Sequence, residues 1–503
     1  MIARTLAMVV ATGLSGCAAS LPPPAAAVPS TQAVVPRPIS LSTGSNQAAV
    51  LFEESIAAAA AGDEASASAK LRAALELDPS FALAHAALTS GGPEAEAAAH
   101  LEQARKSSEA LPKLERLWVE ALSASEPELP AALTVLAAEH VDDWRILYTI
   151  GEKALYGTLD KRMAREAFER VVVLCHECSG ARDALAYLYA EDARWSDALA
   201  MAEQQVALTP QRGAALETLA EVQLMAGRLD AAERSFRRVL ELDPTSSSAY
   251  EGLASVAFSR DQWPAGIEIL RQAAAAMTDP NRQSELRQVL IWALVAESRI
   301  DEAHKVFEET TSAGDAKADL KRSLLDLQIA FELGRWSEAE TIAASLTEQA
   351  RAVAPRLVLR VLGLRPVIAS RLGKLPEAES LLTQLEAQSA DAKHAYQKKE
   401  LYMARGELAM AQSHTDAAIA DFNNKWTLNH CSLQDPGRTL GRPGFEHYAL
   451  QGQLLAAEAL QRAGRLQDAT ARLTALSQLN RRGVGAGAVL RRARLLLGKI
   501  PPR

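Results

Sequence analysis

The stretch GAALETLAEVQLMAGRLDAAERSFRRVLELDP, residues 213–244, contains the pattern that decides the fold. Apolar residues recur three and four positions apart on both sides of Gly227, which is the spacing of one face of an α-helix. Gly227 lies where this pattern is interrupted, and Pro244 closes the stretch, because proline cannot extend a helix. The stretch therefore predicts a helix, a tight turn and a second helix.

The turn of this stretch recurs at an interval of 34 residues. Each copy has a large residue at the start of the second helix and a small residue three positions later. The large residues are Trp195, Leu229 and Trp263, and the small residues are Ala198, Ala232 and Gly266. A fixed period of this length indicates an array of stacked units, because one pair of helices cannot bury its apolar face alone.

Residues 213–244 resemble the tetratricopeptide repeat, a 34-residue helix–turn–helix unit. That family has small residues at its eighth and twentieth positions, a large one at its twenty-fourth and proline at its thirty-second. Here these positions hold Ala220, Ala232, Phe236 and Pro244. The resemblance implies an all-α fold, a right-handed α-solenoid. Looser copies of the turn predict roughly ten helical hairpins between about residues 48 and 480.

The composition of the chain supports a folded body and argues against nucleic acid as a partner. The chain has 503 residues, more than one hydrophobic core organises, and 48% of them are hydrophobic. Its formal net charge of -8 lacks the basic excess that neutralises phosphates. Alanine is abundant and lets helices approach closely, which favours an all-α protein.

Residues 1–17 are typical of a processed targeting segment. Arg4 precedes an apolar run that is too short to span a membrane and that ends in Leu14-Ser15-Gly16-Cys17. This ending resembles the lipobox of bacterial lipoproteins. The resemblance implies cleavage before Cys17 and attachment of acyl chains such as palmitate, which anchor a protein stably when several are present. Because Ala18 and not aspartate follows, it further implies the outer membrane, with the protein facing the periplasm.

The rest of the chain divides by composition and repeat register. Residues 18–47 are rich in proline and alanine, which predicts an extended, disordered tether. We expect irregular tetratricopeptide-like repeats over 48–142 and a central solenoid over 143–424. An insertion loop rich in polar residues, glycine and proline is expected over 425–445, and a last hairpin with a basic capping helix over 446–503.

Cys175 and Cys178 form the one cluster with metal-like or redox-like spacing. They could provide half of a zinc site, completed by His430 and Cys431, or a redox dithiol. Their place at a junction between repeats favours a third interpretation, a local disulfide in an oxidising compartment. Signatures of common hydrolases and nucleotide-binding enzymes are absent from the sequence, so we expect no catalytic residues, no bound metal and no cofactor.

The tetratricopeptide resemblance also implies where a partner binds. In that family the first helix of each unit lines a concave groove that takes a peptide or a helix. Carried over to the three best-registered units, the groove residues are Asp183, Tyr187, Glu191, Glu217, Glu221, Met225, Glu251, Ser255 and Phe258. The set is mainly acidic, which predicts a basic or mixed basic–apolar partner.

The sequence thus favours a lipid-anchored scaffold or assembly factor that binds other proteins or peptides of the bacterial cell envelope. One alternative is a lipoprotein that binds glycans or peptidoglycan, for which Trp195, Trp263 and Trp336 would have to form an aromatic platform. The other alternative is a thiol-redox or metal protein that uses Cys175 and Cys178.

Overall fold

The chain is described here from a computed structural model. The structure describes residues 38–60, 63–89, 94–125, 127–139, 142–158, 160–309, 316–353, 358–390, 399–423, 448–477 and 484–499. The lipobox with Cys17, most of the tether and the insertion at 425–445 lie outside the described residues. Among the described residues, no helix combines the length and the apolar character that crossing a bilayer requires.

The structure is built from helices that follow one another in antiparallel pairs. Their bounds are α1 Asn46–Ala60, α2 Glu64–Leu77, α3 Ala82–Ala87, α4 Glu94–Ser108, α5 Lys113–Ser123, α6 Leu129–Ala137, α7 Trp144–Glu152, α8 Lys161–Leu174, α9 Ser179–Glu191, α10 Trp195–Leu208, α11 Gly213–Met225, α12 Leu229–Leu242, α13 Ser247–Ser259, α14 Trp263–Ala276, α15 Pro280–Ala296, α16 Ile300–Glu308, α17 Ala316–Glu332, α18 Trp336–Val353, α19 Val358–Arg371, α20 Leu375–Ala390, α21 Lys399–Ala411, α22 Thr415–Phe422, α23 Tyr448–Arg462, α24 Leu466–Ser477 and α25 Val484–Leu497. A π-helical turn, Lys153–Thr158, continues α7.

In the part of the chain that the structure describes, these elements form twelve helix pairs followed by the single helix α25. The two helices of each pair contact one another, and each pair contacts the next along the chain. The all-α solenoid expected from the sequence is confirmed, with two more hairpins than the repeat pattern indicated. The additional pairs lie where the repeat register was poorest, between residues 80 and 142.

The turn inside each unit has the same backbone conformation in eight units. The residue two positions before the second helix has a positive φ of 55–74° at Ala193, Gly227, Asp261, Ser298, Gly334, Gly373, Ser413 and Gly464. Glycine adopts this left-handed conformation at no steric cost, whereas other residues do so at a cost. The glycine-containing turns seen in the sequence are therefore the strain-free members of a larger set.

At one junction between units, an aromatic ring packs on glycine. Phe236 of α12 is fully buried, and its ring lies on Gly252 of α13 in the next unit. The same arrangement occurs inside single units, where Phe168 covers Gly151 and Phe422 covers Gly406. A missing side chain lets the ring approach the backbone of the facing helix, so the size of one residue sets the spacing between helices.

Residues 38–45 form an extended segment, here named the strap, that crosses the first units. Its backbone N–H groups donate to three carboxylates, from Ile39 to Asp143 Oδ2 at 2.8 Å, from Ser42 to Glu115 Oε1 at 2.9 Å and from Gly44 to Asp78 Oδ2 at 2.8 Å. The sequence assigned this segment to the tether, but in the structure it packs on the solenoid.

Two charged groups hold the ends of the strap. Burial raises the pKa of the Asp78 carboxyl, but hydrogen bonds from Thr43, Ser80 and Gly44 outweigh burial and lower the pKa to about 2. At the other end, Arg145 Nη2 donates to the Ile39 carbonyl at 2.7 Å, and the buried Arg145 also pairs with Asp143. The first, third and fourth helix pairs are thereby joined by one segment of chain.

Candidate protein-binding face

The first helices of neighbouring units lie against one another. Such contacts join α9 with α11, α11 with α13, α13 with α15, α19 with α21, and α21 with α23. In a stack of helix pairs, the side on which successive helices approach most closely is the concave side of the superhelix. The first helices therefore line a concave face over two stretches of the described chain, from α9 to α15 and from α19 to α23, as the family resemblance implied.

All nine predicted groove residues lie on α9, α11 and α13, which are three consecutive first helices. Six of them are buried, namely Tyr187, Glu221, Met225, Glu251, Ser255 and Phe258. The other three, Asp183, Glu191 and Glu217, are partly buried. None of these nine residues is exposed. The arrangement therefore differs from the open acidic groove expected from the sequence.

The carboxylates of this set are engaged between units. Tyr187 Oη donates to Glu221 Oε2 at 2.9 Å, which joins α9 to the next first helix. Thr218 Oγ1 donates to Asp183 Oδ1 at 2.6 Å across the same junction. Burial raises the pKa of the Asp183 carboxyl, while the hydrogen bonds from Thr218 and Gln205 act in the opposite direction.

The remaining members of the set have similar structural partners. Glu217 accepts a hydrogen bond from Ser246 Oγ of the following unit at 2.9 Å, and Glu191 pairs with Lys161 at 2.7 Å. The ring of Phe258 packs on Trp263, with their centroids 4.6 Å apart. Polar residues at these positions stabilise the stacking of units, because a buried carboxylate must be hydrogen-bonded.

A charged cluster in the C-terminal half of the concave face was not found from the sequence. Arg371 Nη2 donates to Glu407 Oε1 at 2.6 Å, and Arg492 pairs with Glu458 at 2.9 Å. Burial raises the pKa of the Glu407 carboxyl, and the charge of Arg371 lowers it. The negative charge of Glu458 also raises this pKa, whereas the positive charge of Arg462 lowers it. These five residues, here named the arginine cluster, carry three positive and two negative charges.

The signal that could have revealed this cluster is its register. Glu407 and Glu458 lie eight positions before the start of their second helices, as Tyr187 and Glu221 do. The repeat pattern is most regular between residues 179 and 276. The sequence alone therefore does not extend this repeat position to α21 and α23. Within the cluster, the side chain of Arg462 is exposed at the end of α23.

Cys175 and Cys178 are joined by a disulfide with a Cα–Cα distance of 5.4 Å. Cys175 caps the end of α8 and Cys178 precedes the start of α9, so the disulfide closes a junction between units. Among the described residues, no three His, Cys, Asp or Glu side chains gather to hold a metal ion. His430 and Cys431 lie outside those residues.

The tryptophans considered for a glycan platform start second helices. Trp263 is 1% exposed and stacks on Phe258, while Trp336 is partly buried and packs edge-on against Phe331 with centroids 5.2 Å apart. Trp195 is partly buried against the hydrophobic core. Their indole rings pack within the solenoid, as expected of residues at a turn.

Comparison with known proteins agrees with the repeat found in the sequence. Residues 189–257 match the sequence model of the tetratricopeptide repeat. No curated protein matches the chain.

Several solved structures align with parts of the chain. A tetratricopeptide repeat protein from Parabacteroides merdae is 17% identical, with 55% of this chain and 97% of that chain covered and a TM-score of 0.33. Yeast Tom70 is 12% identical, with coverage of 89% and 95% and a TM-score of 0.36. The Cut9–Hcn1 hetero-tetramer of the APC/C is 14% identical, with coverage of 89% and 76% and a TM-score of 0.34.

The 34-residue period, the paired helices and the match over residues 189–257 lead to the same conclusion. Residues 189–257 therefore form tetratricopeptide repeats within an all-α solenoid.

Proposed function

We propose that this protein is a lipid-anchored scaffold of the bacterial cell envelope that binds other proteins through its concave face and is not an enzyme. The observation that carries the proposal is the concave face formed by the first helices of successive units, from α9 to α15 and from α19 to α23. Such a face offers a long series of equivalent positions to an extended peptide or a helix. Tetratricopeptide repeats generally bind protein partners, which supports the same function.

The anchor follows from the N-terminal sequence. Cys17 in the lipobox-like motif is the proposed site of lipidation, and the outer membrane facing the periplasm is the proposed location. About 20 residues separate Cys17 from the strap at Pro38, and at about 3.1 Å per residue they could span up to about 60 Å. The strap would transmit the position of the anchor to the first, third and fourth helix pairs, since a carboxylate from each of them holds it.

The carboxylates of the central units already have hydrogen-bonding partners within the protein. The arginine cluster is therefore the better candidate for recognising a charged partner. Arg462 is exposed there, and the cluster has an excess of positive charge over its two buried carboxylates. A partner with acidic side chains would be attracted to this part of the face. We therefore propose an acidic or mixed acidic–apolar segment as the partner's binding element, in place of the basic one expected from the sequence.

The proposal is tested by crosslinking in cells, recovery of the protein from detergent-solubilised membranes, and identification of co-purified proteins by mass spectrometry. A defined set of envelope proteins is expected with the wild type. Cys17→Ser should reduce their recovery and release the protein from the membrane fraction, because the thiol that would carry the lipid is missing. Recovery of no protein above the control level, from a folded bait, would contradict the scaffold function.

A matched pair of variants tests the face. Arg462→Glu reverses an exposed charge on the first helix α23, and Arg162→Glu reverses an exposed charge on the second helix α8. We expect Arg462→Glu to weaken recovery of the partner and Arg162→Glu to leave it unchanged. Equal recovery with both variants would show that the arginine cluster takes no part in binding.

A further inference from the structure

Arg491 of α25 lies against units that precede it by about 200 residues. Its Nη1 donates to Glu297 Oε1 at 2.7 Å, and its Nη2 lies 3.4 Å from Asp261 Oδ1. Its guanidinium carbon is 4.2 Å from the centroid of the Trp263 ring. Helix α25 as a whole contacts α13 and α15. The superhelix therefore completes one turn between α13 and α25, and Arg491 lies where the two ends of that turn meet.

The surface that receives Arg491 is formed by two successive turns of the repeat. Asp261 has the left-handed conformation in the turn of one unit, and Glu297 directly precedes the left-handed residue in the next. Trp263 Nε1 donates to Asp261 Oδ1 at 3.1 Å, which fixes that carboxylate beside the buried indole ring. Two carboxylates and an aromatic face suit a guanidinium group, which binds both by ion pairing and by stacking.

The opposite side of α25 is fixed to the end of the array. Ala493 is buried in a cluster with Leu473 and Leu476 of α24, and Arg492 pairs with Glu458 of α23. Helix α25 therefore moves with the last unit, and loss of the Arg491 contacts would separate the two ends of the turn without unfolding either end. The side chain of Arg491 remains 34% exposed, so salt can weaken its ion pairs.

We propose that the surface formed by Asp261, Trp263 and Glu297 is a docking site for Arg491 of the same chain, and that this contact opens and closes the turn of superhelix from α13 to α25. The first helices of this turn line its interior, so closure restricts the entry of large molecules to that part of the concave face. This inference rests on the proposed function, because restricted entry matters only if partners bind there.

Closure is tested by the distance between two spin labels. Azide-bearing amino acids at the exposed positions Leu495 of α25 and Asp301 of α16 would carry the labels in the otherwise native chain. We expect one short distance in the wild type, and an about tenfold higher ratio of open to closed molecules for Arg491→Glu or in molar salt. A label pair at Leu466 and Leu495, within the last unit, should give the same distance throughout.

Two variants make this result specific. Arg494→Glu reverses an exposed charge on the same helix and should leave the turn closed. Glu297→Arg combined with Arg491→Glu exchanges the paired charges and should restore the short distance. Persistence of the short distance in Arg491→Glu, or failure of the exchanged pair to restore it, would overturn the proposal. Disappearance of the short distance on mixing with unlabelled chain would overturn it too, because the contact would then join two copies.

Restricted entry is measured without a partner. A cysteine at position 462 inside the closed turn would be treated with a maleimide on a 5 kDa polyethylene glycol, an arbitrary probe of roughly partner size, and loss of the unmodified peptide would be followed by mass spectrometry. Arg491→Glu should speed this reaction several-fold and leave the reaction with N-ethylmaleimide unchanged. Equal rates for the large reagent with and without Arg491→Glu would refute gating. Neither result depends on whether a partner is found, so failure of this inference is distinguishable from failure of the proposed function.

Discussion

Gly252→Ala tests whether rings packed on glycine set the spacing between units. An added Cβ at position 252 would lie 2.6 Å from Cδ1 of Phe236, with other ring atoms closer still. Carbon atoms pack best at about 3.5–4.0 Å, so the ring or the helix must shift. Such overpacking costs about 1–3 kcal/mol, whereas alanine stabilises a helix interior by about 1 kcal/mol relative to glycine.

The two effects are separated by removing the ring. Gly252→Ala in the wild type should therefore destabilise the junction between α12 and α13 by up to about 2 kcal/mol. In a Phe236→Ala background, which itself costs about 3–5 kcal/mol, the new methyl group enters the vacated space. There the same change should stabilise by about 1 kcal/mol. The coupling energy between the two positions is then about 1–3 kcal/mol.

Native-state hydrogen exchange of α12 and α13 is the suitable assay, since units of a solenoid open locally and the whole chain does not unfold in two states. The coupling corresponds to a change of about 5- to 140-fold in relative protection. Gly213→Ala is the control, because its Cβ would meet only Val239 Cγ1 at 3.9 Å. Equal effects of Gly252→Ala with and without the Phe236 ring would refute the reasoning.

Three further outcomes are expected. Gly373→Ala, whose Cβ would meet nothing within 4 Å at a φ of 74°, should destabilise its unit by about 1 kcal/mol, and Ala193→Gly at a φ of 55° should stabilise its unit by a similar amount, both read by hydrogen exchange. The pKa of Asp78 is lowered from 3.8 to about 2, which should give about 2 kcal/mol of stability above pH 4. This stability should be lost as the pH falls toward 2. Asp78→Asn should abolish this pH dependence in the hydrogen-exchange protection of the strap. Thr149→Val should cost about 1–3 kcal/mol in thermal unfolding because it leaves the buried Trp118 indole N–H, now 3.0 Å from Thr149 Oγ1, without its acceptor, whereas Thr149→Ser should cost less.

The fold could be predicted from the sequence because its deciding features are local and periodic. The spacing of Trp195, Leu229 and Trp263 fixes the repeat, and each of them begins a second helix in the structure. Proline inside a helix ordinarily kinks or ends it, yet α19 extends from Val358 to Arg371 with Pro366 inside it. Neighbouring helices on both sides of α19 stabilise the interrupted hydrogen-bonding pattern, which is a tertiary effect that the local sequence does not contain.

The surface chemistry was harder to predict because it depends on which side chains the stacking buries. Glutamates such as Glu221 and Glu251 usually lie on a solvated helix face, but here they are buried between units. The strap joins residues that are far apart in the sequence, since 104 positions separate Ile39 from Asp143. Likewise, 194 positions separate Arg491 from Glu297. No periodicity encodes such pairs, so they appear only once the superhelix is built.

Photo-crosslinking in cells tests whether the concave face binds protein partners. A benzophenone amino acid would replace Ser248 or Arg462 on first helices, and the exposed Val173 or Leu208 on second helices. We expect positions 248 and 462 to give adducts with a defined envelope protein and positions 173 and 208 to give none. Adducts from 173 and 208 alone would contradict this expectation, because the binding surface would then lie on the outer helices.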